Sequence, residues 1–249
     1  MTLRVVSHGD AGPDVLLLPG ITSPAGVWSF VAEPLARDHR VHVLDLRGRG
    51  ESRPRPGATY TLEDYAGDAA AVIEGLGLGR PRVLGHSLGA RIAAKLGVSR
   101  PELVARAVLA DPPLSGPGRP SYPTPLAFYL EAIAGAREPG AAERLARDHP
   151  GWSDARRRDR ARWLPTCDER AVAESHRHFH DEDFHALWDA LPAPVLISGS
   201  SSEVVTSNDV VELRSRNPGA RSIVVAGAGH MIPWDRPDAF VAAAREALA

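Results

Sequence analysis

Six short apolar runs recur along the chain, and a glycine, a proline or a polar residue ends each of them. They occupy residues 15–18, 41–44, 82–84, 107–109, 195–197 and 223–225. Short, β-branched runs that are apolar at consecutive positions are typical of strands buried on both faces of a parallel sheet. A further run at residues 3–7 predicts one more strand at the edge of this sheet.

Helical patterns separate these predicted strands. Apolar residues recur at helical spacing in residues 27–37, 62–76, 87–98, 207–216 and 237–248. Thr61 and Asp64 resemble a capping box at the start of the second helix, and Pro237 opens the last one. Strands and helices that alternate with short links predict an α/β fold with a mostly parallel, doubly wound sheet.

Residues 112–191 break this alternation. A stretch rich in proline and glycine is followed by helical patterns alone, at residues 126–136, 141–147, 154–163, 169–179 and 184–190. The sequence therefore predicts one core, formed by residues 1–111 and 192–249, that a helical insertion interrupts. The insertion is either a peripheral decoration or a lid over the functional site. We favour a lid, because long insertions of this kind tend to be functional and three of the five tryptophans lie in it.

Charge and cysteine content narrow the class of protein. The chain has 249 residues, and its 29 basic and 31 acidic residues give a net charge of −2. This balance does not resemble a nucleic-acid-binding surface, and no apolar run has the length of a membrane span. The single cysteine, Cys167, excludes an intramolecular disulfide, which fits a reducing cytoplasm. We expect a cytoplasmic protein whose partner is a small molecule, not a nucleic acid or a membrane; its oligomeric state is left open.

The segment Gly85-His86-Ser87-Leu88-Gly89 has the pattern G-x-S-x-G. It directly follows a predicted strand and opens a predicted helix, as a nucleophile elbow requires. Glycines permit the tight turn that holds the serine, so Ser87 is the predicted nucleophile. The amide of Leu88 and an amide from the loop after residues 15–18, that of Ile21, are predicted to form an oxyanion hole.

Ten histidines are candidates for the general base. His230 directly follows the last predicted strand, which fits the chain order serine, acid, histidine of this elbow architecture. His176, His178 and His180 form an H-x-H-x-H run in the insertion. Residues two apart do not share one face of a helix, so we expect this run not to hold a metal.

Two carboxylates remain candidates for the acid that orients His230. The loop after residues 195–197 contains no aspartate, and Glu203 is the carboxylate that it offers. Asp111 follows residues 107–109, at a strand end where catalytic groups gather. Asp209 is better explained as a helix-start residue after Thr206. Position favours Asp111 and leaves Glu203 as the alternative.

With these residues in place, nearly the whole chain resembles the α/β-hydrolase superfamily. A narrower resemblance is to the N-formylmaleamate deformylase family of bacterial nicotinate degradation. The segments that carry it are residues 18–24, 85–92, 111–118, 166–169 and 229–235. The resemblance implies that Asp111 is the acid. It also implies an amidohydrolase that converts N-formylmaleamate to formate and maleamate without a metal or an organic cofactor.

The implied substrate carries a carboxylate, so a cation is expected in the pocket. Arg91 lies one helical turn after Ser87 and is the predicted ligand of this carboxylate, with Thr22 and Ser23 as weaker candidates. Four side chains of the insertion are further possibilities that spacing does not select: Arg119, Tyr122, Trp152 and His180. Two alternatives stay open, a carboxylesterase, lactonase or C–C bond hydrolase on the same scaffold, and a binding protein without activity.

Overall fold

The computed structural model describes residues 2–53 and 56–249, and a seven-stranded sheet lies at its centre. The strands are β1 (Val5–His8), β2 (Asp14–Leu18), β3 (Arg40–Leu44), β4 (Arg82–His86), β5 (Arg106–Ala110), β6 (Val195–Gly199) and β7 (Arg221–Val225). Their order across the sheet is β1-β3-β2-β4-β5-β6-β7. The edge strand β1 runs antiparallel to β3, and the other neighbouring pairs are parallel. The predicted mostly parallel sheet is confirmed.

Six helices flank this sheet: α1 (Ser29–Leu35), α2 (Leu62–Gly75), α3 (Leu88–Ser99), α9 (Ser207–Arg216), α10 (Ile232–Asp235) and α11 (Pro237–Leu248). Alternate residues of the strands face opposite sides of the sheet. Leu16 and Leu18 belong to the core shared with α2 and α3, whereas Val15 and Leu17 belong to the core shared with α1 and α11. Helices therefore cover both faces, which explains why the strands are apolar at consecutive positions.

Local sequence signals set most helix boundaries. Thr61 and Asp64 form the predicted capping box of α2, and Thr206 and Asp209 form another at the start of α9. Two details differ from the prediction. The predicted helix at residues 27–37 is a 3₁₀ turn (Ala25–Val27) followed by α1, and the short helix α10 was not predicted.

Five helices lie between β5 and β6, in the predicted insertion of residues 112–191, which is called the cap below: α4 (Leu126–Arg137), α5 (Ala141–Asp148), α6 (Asp154–Trp163), α7 (Glu169–Asp181) and α8 (Phe184–Ala190). The buried side chain of Arg49 ties the cap to the core. It donates to the carbonyl oxygen of Ile21 (2.9 Å) and to the hydroxyl of Ser175 in α7 (3.0 Å). No helix within residues 2–53 and 56–249 is long and apolar enough to cross a membrane.

Candidate active site

The turn between β4 and α3 holds Ser87 in a strained backbone conformation. Its φ is 56° and its ψ is −117°, outside the regions that residues with a Cβ ordinarily occupy. Two glycines make this turn possible. A Cβ at Gly85 would lie 2.1 Å from the carbonyl oxygen of Gly89, and a Cβ at Gly89 would lie 1.9 Å from that of Leu18. The close packing of backbone around the turn fixes where the Ser87 hydroxyl points.

Three side chains from three strand ends form one hydrogen-bonded chain. The Oγ of Ser87 lies 3.1 Å from Nε2 of His230, and Nδ1 of His230 lies 2.7 Å from Oδ2 of Asp111. Asp111 is fully buried and follows β5 with a φ of 47°. The structure thus brings together the serine, the histidine and the favoured carboxylate that the sequence predicted.

Ser202, in the loop after β6, supports the buried carboxylate of Asp111. Its hydroxyl donates to Oδ2 at 2.6 Å and accepts a hydrogen bond from the amide of Val204 at 3.1 Å. Burial raises the pKa of Asp111, and the hydrogen bonds from His230 and Ser202 act against that rise. Glu203 is exposed and points into a different cavity beside Arg119. The loop after β6 therefore provides a hydrogen-bond donor to Asp111 and does not provide the acid itself.

The amides of Ile21 and Leu88 are free to bind a ligand. Among the hydrogen bonds that the described residues make in turns, loops and helix caps, neither of these N–H groups is a donor. Leu88 is the first residue of α3, where an N–H group has no partner inside its own helix. Ile21 lines the cavity beside Ser87, and Arg49 fixes its peptide by donating to the carbonyl oxygen. Both predicted amides can therefore stabilise a negatively charged oxygen.

His86, next to Ser87, stabilises the loop that carries His230. Its Nε2 donates to the carbonyl oxygen of His230 at 2.9 Å. Burial, with His230 close by, lowers the pKa of His86 to about 3 from its ordinary 6.5. The imidazole is therefore neutral at physiological pH and acts as a fixed hydrogen-bond donor.

This low pKa gives the fold a pH-dependent stability that His86→Gln is expected to reduce. Below pH 6.5 the unfolded chain binds a proton at His86 that the folded chain does not, so the free energy of unfolding falls as pH falls. Between pH 7.5 and 5.0 this linkage is about 2 kcal/mol. Glutamine can donate the same hydrogen bond but does not titrate. Urea unfolding at both pH values measures the effect, and an equal loss in both proteins would refute it.

A cavity of about 440 Å³ lies between the core and the cap, and Ser87 and His230 open into it. Thr22 and Ser23 line it, as predicted. The cap contributes mainly apolar and aromatic surface: Pro123, Pro125, Phe128, Tyr129, Ala132, Leu145, Trp152 and Leu164. Among the described lining residues, Arg160 of α6 is the one arginine or lysine. The cavity therefore combines a reactive end, an apolar wall and a single permanent cation.

Arg91 does not contribute that cation, which corrects the prediction. Its side chain is fully buried and donates to the carbonyl oxygens of Pro113 (3.0 Å) and Glu182 (2.7 Å), away from the cavity. Ser87 precedes the first turn of α3 and lacks helical backbone angles, so helical spacing does not align Arg91 with its hydroxyl. Arg91 instead joins the cap to α3.

Two cap residues lie near the reactive end: Tyr122, which is one of the four possibilities named from the insertion, and Arg160, which the sequence did not single out. The Tyr122 hydroxyl lies 3.3 Å from Nε2 of His230 and 3.0 Å from the hydroxyl of Tyr129. Arg160 donates to the carbonyl oxygen and, at 2.9 Å, to the hydroxyl of Thr22. Since α6 contains several arginines at neighbouring positions, no pattern could distinguish Arg160 from the others. Of the other cap candidates, Trp152 lines the cavity, whereas Arg119 pairs with Glu212 elsewhere.

Comparison with known proteins finds a matching family and similar enzymes. Residues 15–244 match the model of the Alpha/beta hydrolase family. N-formylmaleamate deformylase of Pseudomonas putida is 40% identical over 95% of this chain and 88% of its own length. The 2-(acetamidomethylene)succinate hydrolase of Mesorhizobium japonicum is 28% identical over 96% of this chain and 88% of that protein.

Two solved structures that resemble this chain are of the same two kinds of enzyme. The crystal structure of an N-formylmaleamic acid deformylase from Pseudomonas putida superposes with a TM-score of 0.91 at 38% identity, covering 97% of this chain and 95% of that one. That of E-2-(acetamidomethylene)succinate hydrolase superposes with a TM-score of 0.82 at 25% identity, covering 98% of this chain and 94% of that one.

Proposed function

The chain belongs to the alpha/beta hydrolase family and is a hydrolase, and we propose that it removes the formyl group from N-formylmaleamate. The observation that carries the proposal is the hydrogen-bonded chain of Ser87, His230 and Asp111 at one end of the cavity. The relative that is 40% identical over 95% of the chain supports the choice of substrate. In this proposal Ser87 is the nucleophile, His230 the general base and Asp111 the acid.

The first half of the reaction transfers the formyl group to Ser87. Nε2 of His230 takes the hydroxyl proton as Oγ attacks the formyl carbon, and Asp111 stabilises the charged imidazolium. The formyl oxygen becomes negatively charged and accepts hydrogen bonds from the Ile21 and Leu88 amides. The C–N bond then breaks, and His230 returns the proton to the departing nitrogen of maleamate. A second carbonyl group delocalises the electron pair of that nitrogen, so it departs more readily than an amine nitrogen.

The second half releases formate. His230 takes a proton from a water molecule, which attacks the formyl ester on Ser87. Collapse of this second tetrahedral intermediate breaks the bond to Oγ, and the proton returns from His230 to Ser87. These steps need a nucleophile, a base, an acid and two amide donors, and the chemistry requires no metal or organic cofactor. We place the reaction in the cytoplasm, with the helical cap limiting access of bulk water to the ester.

The test compares an N-formyl amide with a simple ester. We expect equal amounts of formate and maleamate from N-formylmaleamate, with a kcat/KM at least about 100-fold above that for p-nitrophenyl acetate. The released acid and amide are quantified by nuclear magnetic resonance. Ester hydrolysis without formate would contradict the deformylase assignment and favour a carboxylesterase or lactonase. Release of formamide and maleate would show attack at the wrong carbonyl carbon.

A further inference from the structure

Arg160 is held at the wall of the cavity by the loop that also provides the Ile21 amide. Its guanidinium donates two hydrogen bonds to Thr22, one to the carbonyl oxygen and one to the hydroxyl. Thr22 directly follows Ile21, so the guanidinium is fixed one residue from the predicted oxyanion hole. Two of its five N–H groups are used in this way, and the other three have no acceptor among the described residues.

No carboxylate of the described part of the chain pairs with this guanidinium. Within the described residues no carboxylate lies within 4.0 Å of it, whereas Arg157 of the same helix pairs with Asp154 at 2.6 Å. Burial lowers the pKa of Arg160, and the groups that act against this, Cys167 and Tyr129, are neutral near pH 7. Part of its surface is nonetheless open, into the cavity. Burying an unpaired cation is costly, and an anionic ligand would offset that cost.

We propose that Arg160 binds the carboxylate of the substrate, an inference that rests on the proposed function. The chemical class is a short acyclic carboxylate whose reactive carbonyl lies at the opposite end of the molecule. Phe128, Leu145 and Leu164 provide the apolar wall for the carbon chain between the two ends. The arrangement selects length and charge together, because the carboxylate must reach Arg160 while the formyl carbon meets Ser87.

Arg160→Met tests this assignment. We expect its kcat/KM for N-formylmaleamate to fall about 100-fold, mainly through KM, as the loss of a charge-assisted hydrogen bond predicts. The fall should be at least tenfold greater than that for neutral p-nitrophenyl acetate. Arg158→Met is the matched control, since it removes the same charge from an exposed position of α6. Its kcat/KM should stay within about twofold of the native value.

Inhibition separates this inference from the deformylase assignment. Maleamate and succinamate are expected to inhibit p-nitrophenyl acetate hydrolysis by the native protein, and Arg160→Met should weaken inhibition about 100-fold. This measurement does not need N-formylmaleamate to be the substrate. Equal losses for the anionic and the neutral substrate would show that Arg160 only holds the Thr22 loop in place. Unchanged inhibition would overturn the carboxylate site directly.

A second, independent observation concerns Tyr122, whose hydroxyl contacts Nε2 of His230, the atom that accepts and returns the proton. Nε2 of His230 is 3.3 Å away, and the partner hydroxyl of Tyr129 is 3.0 Å away. Burial raises the pKa of Tyr122 well above its ordinary value, so the group stays protonated and can donate. The departing nitrogen must also approach Nε2, because it receives its proton there.

We infer that Tyr122 donates to the oxygen of the maleamate carbonyl group, whose carbon is bonded to the departing nitrogen. When the C–N bond breaks, its electron pair moves to nitrogen and is shared with this oxygen, and a hydrogen bond stabilises the developing charge. Tyr122 therefore acts on the leaving group, whereas the Ile21 and Leu88 amides act on the formyl oxygen.

Tyr122→Phe is expected to lower kcat for N-formylmaleamate about 30-fold with little change in KM. The loss for p-nitrophenyl acetate should be below about threefold, since that leaving group has no such carbonyl. Tyr129→Phe is the control that keeps the donor but removes its neighbour, and its loss should be smaller. Equal losses for both substrates with Tyr122→Phe would contradict the leaving-group role and indicate that Tyr122 acts through His230.

Discussion

Ser87→Ala is expected to lower kcat/KM for formate release at least about 10⁴-fold, because it removes the oxygen to which the formyl group is transferred. The fold should remain, since alanine occupies the same strained conformation and removes one oxygen atom. Formate release at saturating N-formylmaleamate measures the loss, and urea unfolding measures the stability. The residual rate would reflect binding and the oxyanion amides alone.

Ser99→Ala provides the matched control for this experiment. Ser99 is the last residue of α3 and is exposed, and its hydroxyl donates to the carbonyl oxygen of Lys95 at 2.9 Å. Its removal should leave both the activity and the stability near the native values. Activity of Ser87→Ala within tenfold of the native protein would rule out the whole covalent mechanism.

Asp111→Asn is expected to lower kcat about 10⁴-fold. A neutral amide cannot stabilise the imidazolium of His230, and it favours the ring tautomer that leaves Nε2 protonated and unable to accept the proton of Ser87. Because Asp111 is fully buried, water cannot reach this position and compensate for the lost negative charge. Glu203→Gln, at the exposed alternative position, should change kcat less than about twofold. A larger effect at Glu203 than at Asp111 would move the acid to the loop after β6.

The sheet and the three triad candidates could be located from sequence because local signals decide them. Apolar runs bounded by breakers mark the strands, and the two glycines beside Ser87 mark the turn. Asp111 and His230 follow predicted strands, and the carboxyl ends of parallel strands meet at one edge of a sheet. The structure places their side chains within hydrogen-bonding distance of one another, as that rule requires.

Residues that depend on tertiary placement could not be found in this way. Arg91 was expected in the cavity from helical spacing, but Ser87 lies before the helix, and the arginine is buried in the seam between core and cap. Arg160 was missed because its selection depends on contact with Thr22, which is 138 residues distant in sequence. The support that Ser202 gives to Asp111 could not be predicted either, because it depends on a side chain 91 residues away in sequence.

Interception of the covalent intermediate with hydroxylamine tests the central claim most directly. If Ser87 carries a formyl group, turnover of N-formylmaleamate in hydroxylamine should yield formohydroxamate in place of part of the formate, while maleamate release is not slowed. The reaction with Ser87→Ala measures any uncatalysed contribution. Equal formate and maleamate at every hydroxylamine concentration, with no hydroxamate above that background, would contradict a formyl-enzyme on Ser87.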